Sequence, residues 1–222
     1  MSVNALLVIN EAAALVGDPR FDRVTRDAWR ALMNQSARDI ARKLNLVLKT
    51  ATFDLVALDD EYALPTDCWQ VKSFQVNETP ADLTTWWWLK EAFEDEFRDA
   101  TQGNYQSATR PTRYFCRVDT FHLLPKPDVT ITGGGKIRYW GMPDDVTNES
   151  IQSIPLVDTM RDSLRDRMVT YALRRLEKFD AASQHEKEWQ TALTSDRDRI
   201  EDRSADRRPR IRTRAGNIFG QR

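Results

Sequence analysis

Apolar residues recur along this chain in two rhythms, and the change of rhythm divides it. In the stretch Ile154–Phe179, Met160, Leu164, Met168, Tyr171, Ala172, Leu176 and Phe179 return at three- and four-residue steps. That spacing places them on one face of an α-helix, with Arg161, Asp162, Arg165, Asp166, Arg174 and Lys178 largely off it. The stripe is broad enough for a core helix. Asp158, shortly after Pro155, is a good N-cap for it, and the helix is expected to end near Asp180. The same period predicts a helix over 3–16, stopped by Gly17-Asp18-Pro19, and a longer one over 24–45. Trp29, Leu32, Met33, Ser36, Ala37, Ile40, Ala41 and Leu44 mark the second helix's apolar face, and the short loop between the two implies an antiparallel pair. Past Asp180, Ser183 opens a last helix with a sparse face of Trp189, Leu193 and Ile200.

From about Leu48 the period falls to two. Strands are predicted at 52–58, from Tyr62, through Trp69, Val71, Phe74 and Val76, at 114–118, at 121–124 and at 136–140. Turns are expected at Asp59-Asp60-Glu61, at 77–80 and at Lys126-Pro127-Asp128. Thr84 or Thr85 is read as the cap of a helix running through Trp86-Trp87-Trp88 to about Phe97, with a break at Gly103-Asn104. The predicted class is therefore α+β: mainly an α-helical bundle, with a small antiparallel β-rich insertion and an extended C-terminal tail. Residues 1–50 and 155–202 form the bundle. Residues 51–154 form the insertion, with one helix at about 85–98, and 203–222 form the basic tail.

Charge changes this picture only at the end of the chain. The formal net charge is −1, which points to no partner by itself. Residues 207–222, however, carry six arginines and no acid, so removing those six positive charges from −1 leaves −7 on residues 1–206. Two cysteines, Cys68 and Cys116, lie far apart without CxxC spacing, which argues against a disulfide scaffold or a zinc site. The apolar run 5–9 is too short to span a membrane and lacks the flanks of a signal peptide. A soluble protein made in the cytoplasm is expected.

The tail supports three readings. It can be a solubilising end, a nucleic-acid grip in which arginines displace counterions from phosphates, or a docking peptide. Arg207 and Arg208 precede the alternation Arg210-Ile211-Arg212-Thr213-Arg214, and Ile218 and Phe219 add an apolar anchor. Alternation with an anchor suits a strand or groove on an acidic partner, and phosphate binding needs neither Ile218 nor Phe219. Docking is the favoured reading. On a helix, Trp86, Trp87 and Trp88 stand about 100° apart and cannot all face one core. One ring at least faces outward or into a subunit contact, the other reading being two rings in the core and one over a loop. His122 and His185 adjoin no nucleophile motif; a Cys116–His122 pair has no orienting third residue. Asp59-Asp60-Glu61 and Asp144-Asp145 are turn chemistry before they are metal ligands, and Gly133-Gly134-Gly135 is a flexible turn without the lysine of a phosphate loop. No catalytic residue, metal or cofactor is expected.

Four words in a fixed order carry a resemblance. They are AWRALMNQSARDIARKLN, EYALPTDCWQVKSFQV, RPTRYFCRVDTFHLLPKPDVTITGGGKIRYWGMP and IPLVDTMRDSLRDRMVTYALRRLEKFD. Together they cover most of 20–200 and resemble the bacteriophage head-to-tail adaptor family, also called head-completion or portal-connector proteins. The triple tryptophan departs from the family's pattern, and the segment after Asp206 does not align with it. The resemblance implies a structural virion protein and not an enzyme: a homo-oligomeric ring, expected as a dodecamer, beneath the portal protein ring. It would extend the channel for packaged double-stranded DNA and meet a tail or nozzle protein. The C-terminal segment would dock on the portal, and the helical part would make the ring. The location implied is the head–tail junction of the virion, after synthesis in the host cytoplasm and with no membrane contact. The other reading is a soluble nucleic-acid-binding protein that uses the arginine-rich tail.

Overall fold

In a computed structural model, residues 2–77, 85–99 and 110–206 are described. The predicted turn at 77–80, the break at Gly103-Asn104 and the tail residues Arg207, Arg208, Arg210, Arg212, Arg214, Ile218 and Phe219 lie wholly or largely outside them.

The first helix, α1 (Ala5–Val16), starts where the Asn4 side chain accepts the Leu7 N–H. It ends at Gly17, whose φ of 78° closes the last turn in the left-handed region that glycine occupies without strain. Ahead of it, β1 (Ser2–Asn4) pairs antiparallel with β10 (Ser153–Val157), a strand that sequence periodicity does not announce. The loop to the next helix is organised by Asp18. Its buried carboxylate accepts the backbone N–H groups of Asp22 (2.8 Å), Arg23 (3.1 Å) and Val24 (2.9 Å). Helix α2 (Arg26–Leu44) is capped by Thr25 and closed by Asn45 in the left-handed region.

The chain returns to helix after β10. Pro155 belongs to that strand, not to a helix start, and a 3-10 turn at Asp158–Met160 leads into α4 (Arg161–Arg175) without any side-chain cap. Helix α4 stops earlier than its periodicity predicts: Glu177 takes a φ of 58° and Lys178 N–H bonds back to Leu173 O at 2.9 Å. Helix α5 begins at once and runs Phe179–Asp206. The central helix, α4, packs on α1, α2 and α5. Trp29, Met33, Ile40, Leu164, Met168 and Trp189 fill the shared core.

The described residues between 48 and 141 form a β-sandwich of two four-stranded sheets. One has the order β2 (Leu48–Leu55), β9 (Ile131–Gly141), β4 (Cys68–Val76), β5 (Trp87–Trp88). The other has β3 (Glu61–Ala63), β8 (Thr120–Leu124), β7 (Arg113–Cys116), β6 (Lys90–Glu91). All pairings are antiparallel except β6 with β7. Phe53, Tyr62, Phe74, Tyr114 and Phe121 stack between the sheets, with ring centroids 4.4–6.4 Å apart.

The fold is α+β, with 41% helix and 29% strand, so the expected mainly helical bundle with a small insertion is corrected. The strands are too many, and their core too aromatic, for an appendage. The helix read over 85–98 is also corrected. Trp87 and Trp88 pair with Val76 and Gln75 as a strand, a second short strand follows, and only α3 (Glu94–Asp99) is helical. Aromatic rings favour a pleated surface, and three identical residues carry no period to reveal the choice. The glycine run is strand as well. A Cβ at Gly135 would fall 2.2 Å from the ring of Phe53, its cross-strand partner, so glycine is required there by packing.

Candidate functional site

Among the described residues the sandwich has two edge sides: β2 and β3 end the two sheets at one, with the Phe53 and Tyr62 ring centroids 5.3 Å apart, and β5 and β6 end them at the other. At the β5–β6 side, Gln75 pairs with both Lys136 and Trp88, which sets these residues on the outer face. Lys136 Nζ stands 3.8 Å from the centroid of Trp86, and the Arg110 guanidinium stands 4.3 Å from that of Trp87. Trp87 is 44% and Trp88 57% exposed. With Lys90, Arg110, Thr112 and Arg113 they line an open cleft of about 350 Å³. Backbone bonds fix its walls: Leu89 N–H to Phe74 O and Lys90 N–H to Thr112 O, each 3.0 Å. From helix α3, Glu96 accepts from the cleft residue Arg113 and from the Phe93 N–H at 3.0 Å. The Arg113 bond comes first among the causes that hold the Glu96 carboxyl below its ordinary range.

The opposite side is acidic and carries a leucine at its tip. Between β2 and β3, Leu58 adopts a φ of 66° and is 68% exposed. The loop is firmly held. Leu58 N–H bonds to Pro127 O at 2.7 Å and Ala57 N–H to Thr130 Oγ1 at 3.0 Å. The Tyr62 hydroxyl accepts from Val56 N–H at 3.1 Å and donates to Asp59 O at 3.2 Å. Asp59 caps the turn by accepting the Glu61 N–H, as turn chemistry predicts. Asp60 turns inward to Lys126 (2.8 Å) and His122 (3.5 Å). Nothing in the sequence reading singled out Leu58. The signal available was an apolar residue directly before three acids at a strand end.

Cys116 and His122 lie on adjacent strands but not opposite each other. Cys116 pairs with inward-facing Phe121, and His122 pairs with Phe115 on the other face. Burial pushes the Cys116 thiol up to about 12 and the Cys68 thiol to about 11, with neighbouring negative charge adding to both. These thiols are poor nucleophiles at neutral pH. Asp144 and Asp145 bond to Lys49 (2.8 Å) and Arg38 (2.5 Å) across the junction of sandwich and helices. His185, on α5, lies 3.4 Å from Glu188.

That junction is a strap running along α2. Arg26, Arg30, Asn34 and Arg38 recur every four residues and so form one stripe. Arg26 and Arg30 hold Glu149 at 2.9 and 3.0 Å, Asn34 exchanges two bonds with the Val146 backbone at 3.0 and 3.1 Å, and Arg38 holds Asp145. On another face of α2, Asp39 accepts from Arg167 and Tyr171 of α4, and Arg167 also reaches Glu186. The buried Trp189 ring lies between Lys43 (4.3 Å) and Arg167 (4.1 Å). Helix α1 differs in its outer surface. Its exposed residues are Leu7, Asn10, Ala14 and Leu15, none charged, whereas exposed positions on α2 and α5 include Arg38, Arg42, Lys187 and Glu188.

A family model described as SU10 adaptor protein matches residues 3–214. The match thus includes the start of the arginine-rich segment, which the resemblance read from sequence left unaligned. No curated protein matches the chain significantly.

Proposed function

The chain belongs to the SU10 adaptor protein family, and from that premise we propose that it is a head-to-tail adaptor subunit of a bacteriophage. Copies form a ring, a dodecamer, under the portal protein ring. The ring extends the channel for packaged DNA and offers its lower surface to a tail or nozzle protein. Residues 207–222 dock on the portal, through Arg207, Arg208, Arg210, Arg212 and Arg214 and through Ile218 and Phe219.

The observation that carries this reading is the extent of the family match, nearly the whole chain and into the basic tail. Three features support it. The uncharged outer face of α1 suits a helical contact between neighbours, since a helix apolar nearly all round is normally covered. The exposed tryptophans at the sandwich rim suit an interface core, where tryptophan is enriched. The acidic body, −7 over residues 1–206, would let DNA slide along a channel wall instead of adhering.

The test is capture on the cognate portal ring, with full-length protein compared with a version ending at Ala205, followed by electron microscopy. A closed ring from the full chain, absent from the truncated one, is expected. A ring from both would remove the tail's docking role. Binding by neither, together with salt-sensitive DNA binding lost on deleting 207–222, would favour the nucleic-acid reading that the six tail arginines also allow.

A further inference from the structure

We infer that the two open sides of the β-sandwich are the two halves of one contact between successive copies. The acidic, leucine-tipped loop Val56–Glu61 of one subunit seats in the Trp87–Trp88 cleft of the next. This rests on the ring reading above and adds a contact distinct from the helical one.

Placement comes first. A ring is built from heterologous contacts, in which two different patches of one subunit meet, facing in roughly opposed directions. The sheet orders supply that arrangement, with β2 and β3 at one end of the sandwich and β5 and β6 at the other. Among the described residues both sides are also unpaired strand edges, which proteins ordinarily blunt or cover.

Chemistry comes second. One side presents Leu58 followed by Asp59 and Glu61, and neither carboxylate has an ion-pair partner among the described residues. The other presents two exposed indoles with Lys90 and Arg110 at the rim. An exposed leucine followed by carboxylates matches an aromatic slot with two cations at its rim. The acidic side would meet like charge if it paired with itself, so the match favours a head-to-tail arrangement.

Strain comes third. Leucine rarely adopts positive φ, and here it does so while its side chain stands mostly in water. Both features disfavour the isolated subunit. The bonds from Pro127, Thr130 and Tyr62 hold the loop in this shape, so the knob is preorganised before any partner arrives. A duplex in the cleft would account for the cations but not for the leucine on the opposite side.

Leu58→Gly makes a clean test, because glycine tolerates the backbone angle and the fold is not put at risk. Rings are assembled from full-length subunits on the cognate portal, and the half-saturating subunit concentration is read by electron microscopy. Leu58→Gly and Trp88→Ala are each expected to raise it about tenfold or more, and the double variant no further than the worse single one. In rings of mixed isotopic composition, carbodiimide should join Lys90 of one copy to Asp59 or Glu61 of another. Normal rings from Leu58→Gly, or links between copies that avoid these residues, would overturn this contact and leave the ring standing. Failure of the unaltered protein to form any ring would overturn both. Loss of DNA binding by Trp88→Ala with assembly unchanged would assign the cleft to nucleic acid instead.

Discussion

Gly135→Ala is a one-carbon change that the sandwich core should resist. The added Cβ would lie 2.2, 2.3 and 2.5 Å from three ring carbons of Phe53, against the 3.4 Å at which ordinary contact begins. Relief requires about 1 Å of separation, and neither partner is free to supply it. Gly135 sits in β9, bonded to β2 on one side and β4 on the other. The Phe53 ring is wedged among Tyr62 at 5.3 Å, Phe121 at 5.0 Å and Phe74 at 6.4 Å. Overpacking of this kind costs about 1–3 kcal/mol, and the entropy gained by replacing glycine offsets roughly 0.5–1 kcal/mol of it. A net loss of about 1–2 kcal/mol corresponds to a fall in Tm of roughly 2–8 °C for a chain of this size. The assay is thermal and urea unfolding of the single variants Gly135→Ala and Phe53→Leu and of the double variant. The smaller leucine makes room, so the double variant should be less destabilised than the two singles combined, by at least about 0.5 kcal/mol. Additive losses, or a neutral Gly135→Ala, would show that ring and glycine are not in the contact described.

Acid should weaken the loop that Asp18 organises. Burial alone would raise this carboxyl's pKa, but the N–H groups of Val24, Arg23 and Asp22 and the charge of Arg23 outweigh it and hold it below the ordinary value. The native state therefore binds fewer protons than the unfolded one. The contribution is present above the ordinary Asp pKa, near 4, and is lost as pH falls through the lowered one. Asp18→Asn should lower stability at pH 7 by roughly 1–3 kcal/mol, with the gap narrowing below about pH 4; an equal gap at pH 7 and pH 3 would contradict this. The two thiols give an independent check of the sandwich. With Cys68 pushed to about 11 and Cys116 to about 12, alkylation at pH 8 should be slower than for a free thiol by about a hundredfold and a thousandfold. Urea should restore it, and native rates matching a free thiol would refute the half-buried placement of both.

What the sequence discloses is what its own neighbours decide. Helix α2, expected over 24–45 and found at Arg26–Leu44, has its period, its cap Thr25 and its stop Asn45 within one stretch. Features set by distant partners escape. Val3 and Asn4 read as the start of a helix because their strand partners lie about 150 residues later. Gly133-Gly134-Gly135 reads as a turn because Phe53, the ring that excludes a Cβ, belongs to another strand. The triple tryptophan reads as a helix whose rings cannot all be buried; it forms a two-residue strand instead, and its place at the sheet edge leaves both Trp87 and Trp88 exposed. Leu58 was illegible for a further reason. A backbone angle at a loop tip is fixed by bonds from Pro127 and Thr130, some 70 residues away.

The strap along α2 bears on how contacts at the helices and at the sandwich could act together. Glu149 is almost fully buried between Arg26 and Arg30. The bonds and charges around it, its own backbone first, outweigh burial and hold its carboxyl below the ordinary range. An ion pair in such a place adds little net stability over a well-packed apolar substitute, because removing charge from water is expensive. What it does supply is orientation. Arginines point at one carboxylate from two successive turns, Asn34 reads both backbone groups of Val146, and Arg38 takes Asp145, so the strap has one register on the helix. Lys49 bridges Asp67 and Asp144 at 2.8 Å each and ties the same strap to β2 and to the segment before β4. The direction in which the sandwich leaves the bundle is thus fixed by a row of directional bonds beside the apolar contact of Val146, which is buried in the helical core. In a ring, where a few degrees of error per subunit prevents closure, that is the property required of the link between a helical contact and a contact at the sandwich edges.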